Sequence, residues 1–307
     1  MILCCGEALI DMLPRITDRG EAAFVPHPGG AVLNTAVALG RLGVRAGFFC
    51  GLSSDLFGAQ LAAHLGASGV STALCPRPDR PTTLAFVTLT DGQARYAFYD
   101  ENTAMRVLCP DDLPAIGDDV SALFLGGISL VSEPCGAAFE ALALREAPAR
   151  VVMLDPNIRP GFIRDEAAYR ARLSRMIAVA DILKLSDEDL AWLLPDQPEA
   201  EAIAALQAAG PALVLVTRGA AGAEAHHPGG VLHVPAVPVT VIDTVGAGDT
   251  FNAGFLAALD QAAALSRDAL RTTPEQTLRN ALTLATRAAS ITAGRAGADP
   301  PVLADLA

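Results

Sequence analysis

The chain has 307 residues, 51% hydrophobic and 18% charged, with a mean hydropathy of +0.37; that is ample material for a buried core and excludes a disordered chain. No apolar run approaches the roughly 20 residues of a membrane helix, and the N-terminus lacks a basic leader and meets acids at Glu7 and Asp11, so a cytoplasmic protein with no membrane partner is expected. A net charge of -12 leaves no basic face for nucleic acid, so any phosphate ligand must be held by local devices such as helix N-termini, backbone amides or a few cations.

Taken in chain order, residues 2–10 read as a buried strand, 31–42 as a helix, 45–51 as a strand and 56–67 as a helix. Further on, strands at 121–126, 151–155, 181–186 and 213–217 alternate with helices at 134–147, 166–180 and 199–209, and two last helices cover 247–264 and 274–293. This alternation predicts an α/β fold, a mostly parallel sheet flanked by helices on both faces. Residues 12–26 and 82–109 break the pattern. The second stretch holds alternating runs at 83–90 and 94–99 around a turn at Asp91-Gly92, which predicts a small antiparallel β lid built from both insertions. One domain over 1–307, with that discontinuous lid, is the expected organisation. The six cysteines have neither zinc-site nor disulfide-framework spacing and read as buried thiols.

Asp11 is read as closing the first strand, where a carboxylate can accept hydrogen bonds from sugar hydroxyls. Gly29-Gly30 permits close backbone approach before the 31–42 helix, and Asn34 one turn later offers a donor and an acceptor to a polyhydroxyl ligand. The strongest local signal is Asp243-Thr-Val-Gly246-Ala247-Gly248-Asp249-Thr-Phe-Asn-Ala-Gly254, after the apolar residues 237–242. Small residues opening a helix make an anion cradle, and Asp249 in the first turn is expected to be an ionised base, favoured by the helix dipole. The segment lacks the third glycine of a dinucleotide fingerprint and the Gly-Lys of a Walker loop. A dinucleotide oxidoreductase is thereby excluded.

Gly29-Gly30-x-x-x-Asn34 paired with Asp243 to Gly254 resembles the two signatures of the ribokinase-type carbohydrate kinases, the phosphofructokinase B family. The likeness runs in order through Gly6-Glu7 and Asp11, Asp155-Pro-Asn157-Ile-Arg159, Lys184 to Asp189, Thr217-Arg-Gly219-Ala-Ala-Gly222 and Arg295 to Pro301. It implies a ribokinase-like fold and ATP-dependent phosphorylation of a sugar hydroxyl. Asp249 would be the catalytic base and Gly246, Ala247 and Gly248 the anion hole. Asp11, Gly29, Gly30, Asn34, Phe98 and Arg159 would bind sugar, while Lys184, Thr217, Gly219 and Gly222 would bind ATP. Glu188 and Asp189 are candidate ligands of Mg²⁺ through water, and Asp243 of K⁺. Thr286 stands where several members place an asparagine near the adenine.

The run Tyr96-x-Phe98-Tyr99-x-x-x-Thr103-Ala104, with Leu154 to Arg159, is similar to the fructokinase branch, which implies phosphorylation of fructose to fructose 6-phosphate. The alternatives are a 2-keto-3-deoxygluconate kinase, a ribokinase, a nucleoside kinase, or a sugar or nucleotide sensor without turnover. Retention of Asp249 beside an intact cradle argues against a sensor. An exposed lid face would suit a homodimer.

Overall fold

A computed structural model describes residues 1–90 and 93–306, the side chains of 88–90 and 93–96 excepted. The Asp91-Gly92 turn and the Tyr96 ring therefore lie outside the described residues. In chain order the first part comprises β1 (Ile2–Cys5), β2 (Leu9–Ile16), β3 (Ala22–Gly29), α1 (Ala31–Arg41), β4 (Ala46–Phe49), α2 (Leu56–Ala67), β5 (Leu84–Thr90) and β6 (Gln93–Tyr99). Then come β7 (Ala122–Gly126), α3 (Cys135–Glu146), β8 (Val151–Asp155), α4 (Glu166–Ile177), β9 (Ile182–Ser186), α5 (Asp187–Leu193), α6 (Glu199–Ala209) and β10 (Leu213–Thr217). The chain ends with β11 (Ala223–His227), β12 (Gly230–Val234), α7 (Ala247–Gln261), α8 (Arg267–Thr272) and α9 (Glu275–Ala293).

Among the described residues, eight strands form one sheet in the order β12-β11-β10-β9-β8-β7-β1-β4. From β10 to β4 every pairing is parallel, and β11 with β12 is an antiparallel hairpin on the edge. The apolar runs are continuous because both faces are covered. Ile2, Cys4, Val151 and Met153 pack towards α1, α2, α7, α8 and α9. Leu3, Cys5, Val152 and Leu154 turn to α3, α4, α5 and α6. Each such large side chain contributes about 1.5–3 kcal/mol by leaving water. Five of the six cysteines are buried free thiols and Cys109 is half-buried, as a reduced apolar core requires. No helix among the described residues is long and apolar enough to cross a membrane.

The run 2–10 is not one strand. The chain leaves the large sheet after Cys5 and re-enters regular structure at Leu9 as part of a second, four-stranded sheet of order β3-β2-β5-β6. The break exists because Glu7 is needed elsewhere: its buried carboxylate accepts Ala31 N at 3.0 Å and Ser129 N at 3.2 Å, capping α1 from a distance. Asp11 accordingly lies inside a lid strand, not at the end of a core strand. The lid is two antiparallel hairpins, β2–β3 and β5–β6, joined by a parallel central pairing of Ile10–Met12 with Leu84–Phe86. Residues 100–109, expected within the lid insertion, carry no strand.

Register sets the two faces of this sheet. His27, Asp11, Ala85 and Phe98 share one row facing the core, while Phe24, Phe86 and Tyr99 stand on the outer face, edge to face at centroid distances of 5.0 and 5.4 Å. The outer face remains partly open, with Ile16 72%, Tyr99 63% and Phe24 42% exposed.

Candidate active site

A cavity of about 380 Å³ opens between the lid and the carboxyl ends of the core strands, where open α/β sheets bind ligands. Nine of the residues singled out from sequence line it: Asp11, Gly30, Asn34, Phe98, Arg159, Lys184, Gly246, Gly248 and Asp249. Glu7, Asn157 and Phe162 line it as well and were missed, although the first two stand within runs that carried the resemblance. Gly29 lies behind the wall, where a Cβ would overlap the Asp11 carboxylate. Phe98 of the lid meets Phe162 of the core edge to face, with ring centroids 4.0 Å apart. That contact closes one side of the cavity.

Helix α7 begins at the cavity. Its N-cap, Gly246, adopts φ 77° and carries no side-chain cap; a Cβ there would stand 2.6 Å from Ala298 Cβ. Ala247 N leans on Thr244 O at 3.3 Å and Thr250 N closes the first turn on Gly246 O at 2.8 Å. Among the described residues, the amides of 246, 248 and 249 are thus the ones left for an anion, and the helix dipole points the same way. Lys184 Nζ lies 3.5 Å from where a Cβ on Gly248 would stand. The space beneath the glycines is therefore bounded by amides above and an ammonium below.

Asp249 is 8% exposed, and its Oδ2 accepts Asn34 Nδ2 at 2.9 Å across 215 residues of sequence. Thr35 Oγ1 donates to Asp249 O at 3.2 Å, so α1 locks onto the start of α7. Oδ1 is left to face the cavity. The ionised state expected from the helix dipole is opposed by burial. Burial raises the carboxyl to about 7, with the Asn34 hydrogen bond and the Lys184 charge lowering it and the Asp155 and Glu7 charges raising it. Such a group is poised to take a proton near neutral pH. Burial likewise raises Asp11 to about 6.

For a base that acts only when ionised, kcat/KM must fall as pH drops through the free-enzyme value. We expect an acid limb near pH 7, about tenfold per unit below it. Asn34→Ala, which removes a bond to the ionised form, should move that limb upwards in a pH–rate profile. A limb that stays put would contradict the pairing.

The other sequence candidates are arranged differently. Thr217 Oγ1 donates to Leu185 O at 3.3 Å, and Thr217, Gly219 and Gly222 lie along the β10–β11 turn outside the cavity lining. Thr286 does not reach towards a base: it is 5% exposed and its hydroxyl donates to Leu282 O at 2.9 Å within α9. Asp189 is buried, with Oδ1 accepting Ile158 N at 2.8 Å and Oδ2 accepting Ser186 N at 3.0 Å. Ser186 and Asp189 form a capping box on α5, and Glu188 is exposed. Asp243 joins two loops, accepting Val245 N at 3.0 Å and Gly297 N at 3.0 Å. Arg159 Nη1 donates to Ile158 O at 3.0 Å, which folds the guanidinium back beside the cavity.

Comparison with known proteins adds to this geometry. The model of the pfkB family carbohydrate kinases matches residues 1–305. A fructokinase of Rhizobium leguminosarum bv. trifolii is 52% identical over 281 residues, covering 91% of this chain and 86% of that protein. The crystal structure of a Xylella fastidiosa fructokinase with bound ATP superposes with a TM-score of 0.92 at 30% identity, covering 99% of this chain and 96% of that one. A double mutant of the Vibrio cholerae O395 fructokinase, in a form with fructose, ADP and a potassium ion, gives a TM-score of 0.84 at 26% identity, covering 97% and 93%.

Proposed function

Because the chain belongs to the pfkB family of carbohydrate kinases, we propose that this sugar phosphotransferase acts on fructose, converting it with ATP to fructose 6-phosphate and ADP. One observation carries the site assignment: the buried Asp249–Asn34 pair shares a cavity with the unfilled amides of the α7 N-terminus. The 52% identity to a fructokinase supports fructose as the acceptor.

In this reading Asp11, Asn34 and the Gly30 backbone hold the sugar hydroxyls, Gly29 packs behind the Asp11 carboxylate, Phe98 and Phe162 form the apolar wall, and Arg159 lies near the transferring group. Asp249 Oδ1 takes the proton of the primary hydroxyl as its oxygen attacks the γ-phosphorus in line. The bond to the β–γ bridging oxygen breaks and ADP leaves with that electron pair. Little covalent help is needed, so positioning and charge stabilisation dominate. The cradle amides and Lys184 face the charge that develops on the phosphoryl oxygens.

Among the described residues no group of three or more His, Cys, Asp or Glu is disposed to hold a metal ion. With both oxygens of Asp189 accepting backbone amides, the exposed Glu188 is the residue left to hold Mg²⁺ through water. A divalent ion would enter with the triphosphate, held by phosphate oxygens and water. Each oxygen of Asp243 accepts one backbone amide and keeps a further lone-pair direction, which suits the potassium reading. The partly open outer lid face, with Phe24, Phe86 and Tyr99, supports a second copy of the chain as partner. We place the protein in the cytoplasm, where ATP and free sugar are both supplied.

The test is sugar-dependent ADP release across fructose, ribose, 2-keto-3-deoxygluconate and adenosine. We expect fructose to give the highest kcat/KM by at least about tenfold, a difference of about 1.4 kcal/mol in transition-state binding. A better acceptor elsewhere in the panel overturns fructose, and no ADP above background overturns turnover itself.

A further inference from the structure

Asp155 is a buried carboxylate next to the reaction that the scheme above leaves unused. It ends β8 and is 2% exposed. Its Oδ2 accepts Lys184 Nζ at 3.0 Å and Asn252 Nδ2 at 2.7 Å, and its Oδ1 accepts Asn157 N at 3.1 Å. Asn252 is fully buried, three residues after Asp249 on α7. One carboxylate therefore ties together the helix that carries base and cradle, the strand that carries the ammonium, and the loop that leads to Arg159.

The chain's only lysine sits in that knot, 4% exposed. Desolvation at such a place favours the neutral amine, and an ammonium survives only beside opposite charge. Three carboxylates act on it: Asp155 from β8, Asp189 from α5 and Asp249 from α7. Of these, Asp155 alone is bonded to it; Asp189 is spent on backbone amides and Asp249 on Asn34. Together they hold the lysine charged against its burial.

We propose that Asp155, steadied by Asn252, is a positioning residue for phosphoryl transfer, fixing the Lys184 ammonium beneath Gly248 where it faces the transferred phosphoryl group. This rests on the kinase reading. Asp155 touches no substrate itself. Its effect passes through Lys184, and that makes it separable from a merely structural ion pair.

Asp155→Asn keeps the acceptor oxygen and removes the charge. We expect kcat to fall about 10- to 100-fold, as for a misplaced group, with the fructose KM changed by less than about threefold. The alkaline limb of kcat, set by loss of the ammonium proton, should move down by about one to three pH units. The double variant Asp155→Asn/Lys184→Met removes both charges and is the better tolerated change. It should turn over within about threefold of Lys184→Met alone, because Asp155 then has no ammonium left to position. That comparison decides the matter even where Asp155→Asn folds poorly. An unmoved alkaline limb in folded Asp155→Asn, or a double variant more than about tenfold below Lys184→Met, overturns the proposal. Wild-type protein assayed alongside separates the two levels: absence of its ADP release would overturn the kinase reading instead.

Discussion

Asp249→Asn should fold, bind ATP and lose about 10²- to 10⁴-fold in kcat, the range of a positioned general base. The substitution preserves shape and the oxygen that accepts Asn34 Nδ2, now at 2.9 Å. It also relieves a carboxyl whose burial already pushes it up to about 7, so the stability of the variant should equal or exceed that of the wild type. The measurements are a thermal melt, nucleotide binding by titration calorimetry, and initial rates with saturating fructose. A kcat within about threefold of wild type would remove Asp249 from the chemistry and with it the role given to the whole α7 terminus.

Filling the cradle should be almost as damaging without touching the base. Gly248 has an ordinary backbone, and a Cβ there meets only Lys184 Nζ, at 3.5 Å. Gly248→Val should therefore keep its melting temperature within about 3 °C, a change of under about 1 kcal/mol, while its methyl groups occupy the space assigned to the phosphoryl oxygens. Losing amide contact to that charge costs about 10²- to 10³-fold in kcat, by analogy with an oxyanion-hole donor. Gly246→Ala is the contrasting control. Its φ of 77° and the 2.6 Å approach to Ala298 Cβ put the penalty into the fold, about 1–3 kcal/mol. Retention of full turnover by Gly248→Val would mean that the anion lies elsewhere.

Residues 56–67, 151–155, 199–209 and 213–217 are elements with the same bounds in sequence and structure. Continuous apolar runs closed by polar residues, or helical spacing bounded by Asp55 and Pro198, leave little ambiguity. The edge strands β11 and β12 were not legible. Their sequences, Ala-Glu-Ala-His-His and Gly-Val-Leu-His-Val, are short and only partly buried, with Pro228-Gly229 as the one turn signal between them. The break at Gly6-Glu7 was hidden for another reason: apolar residues continue on both sides, and only the distant α1 terminus explains why Glu7 must leave the sheet.

At the site, local signatures exposed Asp249 and its glycines because backbone conformation and chemistry are encoded within one turn. The Asn34–Asp249 and Asp155–Asn252 bonds span 215 and 97 residues, and no local pattern announces them. The upward shift of Asp249 was hidden for the same reason, since a helix dipole is visible in a sequence and burial under a distant helix is not. Phe162 had no signal at all beyond following a proline-rich turn.

Asp11 rides on the small sheet and Asn34 on the core. A molecule that bonds to both bridges lid and core, across a cavity that the Phe98–Phe162 contact already closes on one side. On the proposed reading, an acceptor seated between them would displace water from beside the transferred phosphoryl group, favouring transfer to the sugar over hydrolysis.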